Sequence, residues 1–169
     1  LGNKHTLEMC ELMKEVGLPW SAMCRADTIQ RDTWLAMKES GCFGVKLGFE
    51  SGNQYVVDNI VNKHLDLKEA AEVVKYLKQI GMTVHGTFTM GLPGETKEQV
   101  QDTLNYINSL PFDSHQLSGT AEIEGTPLSN LKKEGKLEKY SGAEINEEYK
   151  SEYDGGLKAR NLAKHLKEN

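Results

Sequence analysis

Apolar positions along this chain recur in two alternating rhythms. Residues 6–16 carry Leu7, Cys10 and Met13 at helical spacing and stop at Gly17, and the short apolar run Trp20–Cys24 follows at strand spacing. Asp27, with Gln30 three residues on, predicts the N-cap of a helix that runs to Ser40 and is closed by Gly41. Residues 43–49 read as the next strand, and 53–61 as a short helical turn. Asp66 with Glu69 then caps a helix on which Leu67, Ala70, Ala71, Val74 and Leu77 share one face, closed by Gly81. Residues 82–90 alternate Thr and His with Val, Phe and Met as a half-buried strand does. A helix over 96–110, with Val100, Leu104 and Ile107 on one side, leads to a last strand at 114–118.

Helix, glycine and strand in repeated succession mean parallel strands joined by crossover helices, an α/β fold. Four strands fall short of the eight that close a (β/α)₈ barrel, so a half-barrel or a small open sheet is expected. Beyond Pro127 the chain turns polar, with helices expected over 128–137 and 157–166. The domain reading is therefore a core of residues 1–128 and a helical or irregular extension over 129–169. No internal repeat or low-complexity tract appears.

Composition narrows the function classes. The net charge is −5, acidic residues crowd into 144–152, and no lysine-arginine stripe alternates with aromatics. Direct gripping of nucleic acid is thereby disfavoured. No apolar run approaches the roughly 18 residues of a membrane span, and no leader opens the chain. A soluble, cytoplasmic protein is expected. Cys10, Cys24 and Cys42, spaced 14 and 18 residues apart, match neither a disulfide framework nor a metal-binding pair. Reduced and mostly buried thiols are expected. The histidines His64, His85 and His115 stand apart from carboxylates at metal-ligand spacing, and no Gly-x-Ser-x-Gly elbow exists.

The most informative stretch is 86–96, Gly-Thr-Phe-Thr-Met-Gly-Leu-Pro-Gly-Glu-Thr. A strand runs there into a turn of two glycines and a proline, and Thr96 with Gln99 has capping-box spacing. A helix N-terminus with free N–H groups is expected above the strand end, where α/β proteins take anionic or nucleotide-like ligands. Gly91 and Gly94 permit close backbone approach, although ordinary turn geometry needs them equally. Glu95 reads as a first-turn acid favoured by the helix dipole.

Further pieces join this one in order: Trp20-Ser-Ala-Met-Cys-Arg25-Ala-Asp27, Leu35-Ala-Met37-Lys-Glu-Ser-Gly41-Cys42, Val45-Lys-Leu-Gly48-Phe-Glu50-Ser51-Gly52, Asn62-Lys63, and Gly125-Thr126-Pro127-Leu128. Together they resemble the second half of a radical S-adenosylmethionine (SAM) domain. The wording is most like the type that carries a cobalamin-binding domain, with the methylthiotransferases as second choice. The resemblance implies a partial (β/α)₆ barrel with SAM across its C-terminal strand ends. It also implies a [4Fe-4S] cluster that cleaves SAM reductively to methionine and a 5′-deoxyadenosyl radical, and an enzyme that is in some branches a cobalamin-dependent methyltransferase.

By that resemblance Glu50 meets the SAM ribose or amino group, Arg25 clamps its carboxylate, and Gly91 and Gly94 approach adenine. Ser51 is assigned to the ribose and Gln116 to the site floor. Each has a plainer alternative: Glu50 as a capping or salt-bridged acid, Arg25 paired with Asp27 or Glu50, Gln116 bonded inside a barrel. The family holds its cluster on Cys-x-x-x-Cys-x-x-Cys, which this chain lacks. The chain is therefore expected to be the C-terminal part of a larger enzyme, inactive alone and completed by its N-terminal half, with an exposed half-barrel edge open to dimerisation. A cluster-free α/β module binding a nucleotide or a partner is the alternative.

Overall fold

The computed structural model describes residues 2–120, 124–126, 129, 130, 133 and 134. Of the helix expected over 128–137, residues 129, 130 and 133 are described and helical, and the helix expected over 157–166 lies outside the described residues. Helix α1 (Asn3–Val16) ends on Gly17, whose φ of 68° lets the chain turn away where a side chain would be strained. Strand β1 (Trp20–Cys24) follows, then α2 (Arg31–Glu39) and β2 (Cys42–Glu50). A five-residue π-type turn, Val56–Ile60, precedes α3 (Leu67–Gln79), β3 (Thr83–Met90), α4 (Lys97–Ser109) and β4 (Ser114–Gly119). The four strands form one parallel sheet in the order β1-β2-β3-β4, with β1 and β2 in parallel register from Ser21 opposite Gly44 to Cys24 opposite Leu47. Sequential neighbours joined by helices confirm the α/β expectation, and the element bounds agree with the periodicity to within a few residues.

One expected cap is corrected. The sequence places the N-cap of α2 at Asp27, but the helix begins at Arg31 after Gln30. Asp27 instead grips the Arg25 guanidinium in a two-point pair, Nε to Oδ1 at 2.9 Å and Nη2 to Oδ2 at 2.6 Å. A charge-assisted bidentate pair outcompetes a cap to neutral amides. At α3 the expectation holds, because the Asp66 side chain accepts from the amides of both Lys68 and Glu69.

The chain groups into two compact units: Leu1–Phe49, Leu65–Thr87 and Asn108–His115 in the first, Glu50–His64, Phe88–Ile107 and Gln116–Asn169 in the second. The first is built on Trp34, Met37, Cys42, Leu47, Phe49, Val74, Leu77 and Val84, all buried. There Phe49 meets Phe112 edge to face at 5.4 Å. The second buries Val56, Val57, Phe88, Met90, Val100, Leu104 and Leu117. Each unit thus has its own apolar interior, and burial of that surface is the main term holding it together.

Candidate functional site

The second unit contains Glu50, Ser51, Gly91, Gly94 and Gln116, and Arg25 belongs to the first. Glu50 is the last residue of β2 and takes a left-handed backbone, φ 67°. For a residue with a Cβ this costs about 1 kcal/mol or more, and it persists only where the surroundings enforce it. Both carboxylate oxygens are held. Lys63 Nζ donates to Oε1 at 2.8 Å and Thr89 Oγ1 to Oε2 at 3.2 Å. The Lys63 side chain is only 13% exposed and that of Glu50 31%, so water screens this pair less than a surface one. Lys63 is flanked by two more left-handed residues, Asn62 (φ 57°) and His64 (φ 52°), and its amide donates to the Val57 carbonyl. The loop from the π-type turn is thereby shaped to deliver one ammonium to one carboxylate.

Ser51 is fully buried. Its hydroxyl lies 3.0 Å from Thr103 Oγ1 and accepts from the Asn53 amide at 3.1 Å, while the Gly52 amide donates to Thr103 Oγ1 at 2.9 Å. Thr103, on α4, thus clips the segment after Glu50. A Cβ on Gly52 would lie 2.5 Å from Tyr106 Cβ and 2.8 Å from Thr103 Cα, so only glycine fits.

The turn after β3 is closed from within. Gly91 (φ 73°) and Gly94 (φ 83°) both occupy the region that favours glycine. Glu95 folds back over the turn, its Oε2 accepting from the amides of Gly91 at 2.8 Å and Leu92 at 3.2 Å. Its Oε1 is buried without a hydrogen-bond partner among the described residues. Burial pushes the Glu95 carboxyl up from an ordinary 4.5 to about 7, although the two amides pull it the other way. Glu95 is therefore no first-turn acid; it precedes α4 and organises the turn. The α4 start is satisfied by its own capping box, Thr96 N to Gln99 Oε1 at 2.9 Å and Gln99 N to Thr96 Oγ1 at 3.2 Å. Bare N–H groups expected above the strand end are thus partly spent inside the turn.

Gln116 is exposed on β4 and donates to Ser118 Oγ at 3.0 Å. Arg25 has the alternative partner foreseen for it, Asp27. Lys63, Thr89 and the turn-closing role of Glu95 were not assigned from sequence. Their signals were a cation after an apolar turn, a polar position in an alternating strand and an acid one residue past a glycine, all common in ordinary surfaces.

Among the described residues no three His, Cys, Asp or Glu side chains stand close enough to hold a metal ion. Cys10, Cys24 and Cys42 are free, and burial pushes the Cys24 and Cys42 thiols up to about 11. These thiols join no group of three possible metal ligands among the described residues. A [4Fe-4S] cluster therefore does not fit the residues described. Also among them, no helix is long and apolar enough to cross a membrane.

A family model described as the Radical SAM superfamily matches residues 2–107. The chain is 34% identical over 135 residues to cytidylyl-2-hydroxyethylphosphonate methyltransferase of Streptomyces wedmorensis, covering 73% of this chain and 25% of that protein. It is 30% identical over 130 residues to an uncharacterized methyltransferase of Pyrococcus horikoshii, covering 76% and 28%. The chain thus spans about a quarter of the length of these curated relatives. Among solved structures, Escherichia coli coproporphyrinogen III oxidase, a radical SAM enzyme, superposes with TM-score 0.69 at 16% identity, over 99% of this chain and 37% of that one. The radical SAM methyltransferase TsrM of Kitasatospora setae superposes with TM-score 0.62 at 14% identity, over 69% and 24%.

Proposed function

Because the chain belongs to the radical SAM superfamily, we propose that it supplies the C-terminal half of a radical SAM barrel within a larger enzyme. In that reading a [4Fe-4S] cluster held outside this chain would supply the electron that splits SAM into methionine and a 5′-deoxyadenosyl radical, and the part of this chain is to bind SAM at the strand ends. The observation that carries the assignment of the site is Glu50. A carboxylate at a strand end, in a strained backbone conformation and fixed on both oxygens, is organised for recognition beyond what folding of β2 requires.

Glu50 meets the ribose hydroxyls or the amino group of SAM, because a carboxylate accepts charge-assisted bonds from either. Lys63 and Thr89 hold it in place. The turn offers two positions without a Cβ, Gly91 and Gly94, and its Gly91 and Leu92 amides are already occupied by Glu95. Such a turn suits the flat face of adenine better than a phosphate. Ser51 supports the site through Thr103, and any contact of its hydroxyl with ribose would replace one of its present bonds. Arg25 as a carboxylate clamp and Gln116 at the site floor rest on the resemblance alone.

The reaction we propose is methyl transfer, supported by the methyltransferases among the relatives. Cobalamin, bound outside this chain, is part of the same reading, since OxsB, a cobalamin-dependent SAM radical enzyme, superposes with TM-score 0.54 at 12% identity over 98% of this chain and 26% of that one. In the full-length, cluster-loaded enzyme, Glu50→Ala is expected to weaken SAM binding about 5- to 20-fold, the loss of one or two charge-assisted hydrogen bonds. Calorimetry checks this, and unchanged affinity would remove Glu50 from the site.

A further inference from the structure

Among the described residues three positions other than glycine take a left-handed backbone, and all three fall in the second unit within one stretch of chain: Glu50 (φ 67°), Asn62 (φ 57°) and His64 (φ 52°). Lys63, between the last two, supplies the ammonium that holds Glu50.

Asn62 has an ordinary explanation. The π-type turn Val56–Ile60 ends just before it, with the Val61 amide on the Val56 carbonyl and the Lys63 amide on that of Val57, both at 2.9 Å. A left-handed asparagine or glycine is a common way to stop a helical segment. His64 has no such reason, because it lies beyond that stop and before α3 begins at Leu67. Its ring is exposed and makes no hydrogen bond or ion pair with another described residue. A left-handed residue with a Cβ persists only where the surroundings enforce it. What this stretch holds in place is Lys63, pinned at its amide by Val57 and at its Nζ by Glu50 Oε1 at 2.8 Å. An exposed lysine would keep its head in water and lose rotamer freedom on taking a partner. Here the side chain is 13% exposed and the backbone has already set its direction.

We propose that His64 is a positioning residue for the Glu50–Lys63 pair: its left-handed backbone, and not its imidazole, turns Lys63 back onto Glu50. Histidine and asparagine enter this region more readily than most residues, glycine enters it freely, and β-branched residues are true outliers there. A backbone role therefore ranks the variants, with glycine equal to histidine and valine worst. An imidazole that touched a ligand would make glycine as damaging as valine. The consequence for SAM affinity rests on the radical SAM reading above; the pinning of Lys63 does not.

The test has two arms. In the full-length, cluster-loaded enzyme, calorimetry is expected to find SAM affinity within about twofold of wild type in His64→Gly and lower by about threefold or more in His64→Val. Wild-type affinity in His64→Val, or equal losses in the glycine and valine variants, would overturn the proposal. In this chain alone, urea midpoints are compared for wild type, His64→Val, Glu50→Gln and the double variant. Glu50→Gln is expected to lower the midpoint of wild type and to change that of His64→Val little, because the pair is then already apart. Additive shifts would overturn the proposal, and His64→Ala takes the place of the valine variant if that one does not fold. If the two positions are coupled in urea while Glu50→Ala leaves SAM affinity intact, the positioning stands and the SAM reading falls. If Glu50→Ala weakens SAM binding and no coupling is found, the SAM reading stands and the positioning falls.

Discussion

At Glu95 two opposing effects meet on one carboxyl: two amide donors favour its ionised form and burial at 4% exposure disfavours it. Burial wins, and the pKa rises to about 7. The unfolded carboxyl releases its proton near 4.5, while the folded one keeps it until about 7. The folded state thus binds the extra proton in that window, so this residue's contribution to stability falls as pH rises through it and is level outside it, by at most about 3 kcal/mol. Glu95→Gln keeps an acceptor for Gly91 and Leu92 and cannot ionise. Urea midpoints of this variant are expected to lack the decline between pH 4.5 and 7 that wild type shows; parallel curves would refute the assignment. A second residue-level expectation concerns Lys63. In the full-length enzyme Lys63→Met should weaken SAM binding severalfold and Lys63→Arg should restore most of it, because what Glu50 needs is a fixed cation and not that particular head group. Failure of arginine to rescue would point to a direct contact by the lysine itself.

Among the elements, α4 does more than cover the sheet. Its capping box fixes where it starts, and from that start Thr103 and Tyr106 fall where they receive the loop after β2. Thr103→Val keeps the shape and removes the hydroxyl, leaving the Gly52 amide and the buried Ser51 hydroxyl short of a partner. A loss of about 1–3 kcal/mol in unfolding free energy is expected by urea titration. Gly52→Ala forces a methyl against Thr103 Cα and Tyr106 Cβ and should cost about as much through overpacking. If both variants were as stable as wild type, the loop that shapes Glu50 would owe nothing to α4.

For the molecule as a whole, the sheet ends at β1 and β4 within the described residues. Edge strands of a parallel sheet leave backbone donors and acceptors in need of a partner. Leu18, two residues before β1, is also exposed, at 62%. We propose that a complementary half of the same protein pairs there in the full-length enzyme, and that the chain alone pairs with a second copy. Sedimentation at micromolar concentration should find a dimer or larger species. A compact monomer would instead favour an α/β module complete without further strands, and with it the binding-module reading.

Periodicity and caps made the elements legible from the sequence, because helix and strand repeats and the residues that stop them are local chemistry. The Asp66 and Thr96 caps lie within three residues of their partners. The family was legible too, through an ordered set of short motifs over residues 16–128, and the match over 2–107 agrees. What the sequence could not decide was which polar group each side chain chooses once several compete. Asp27 abandoned a helix cap for Arg25, and Ser51 turned inward to Thr103, 52 residues away. Lys63 reached back 13 residues to Glu50. The meeting of His85 with Ser114 across 29 residues depends on strand register alone. Those choices follow from burial and from neighbours brought close by the fold, and a linear chain carries no measure of either until its strands are side by side.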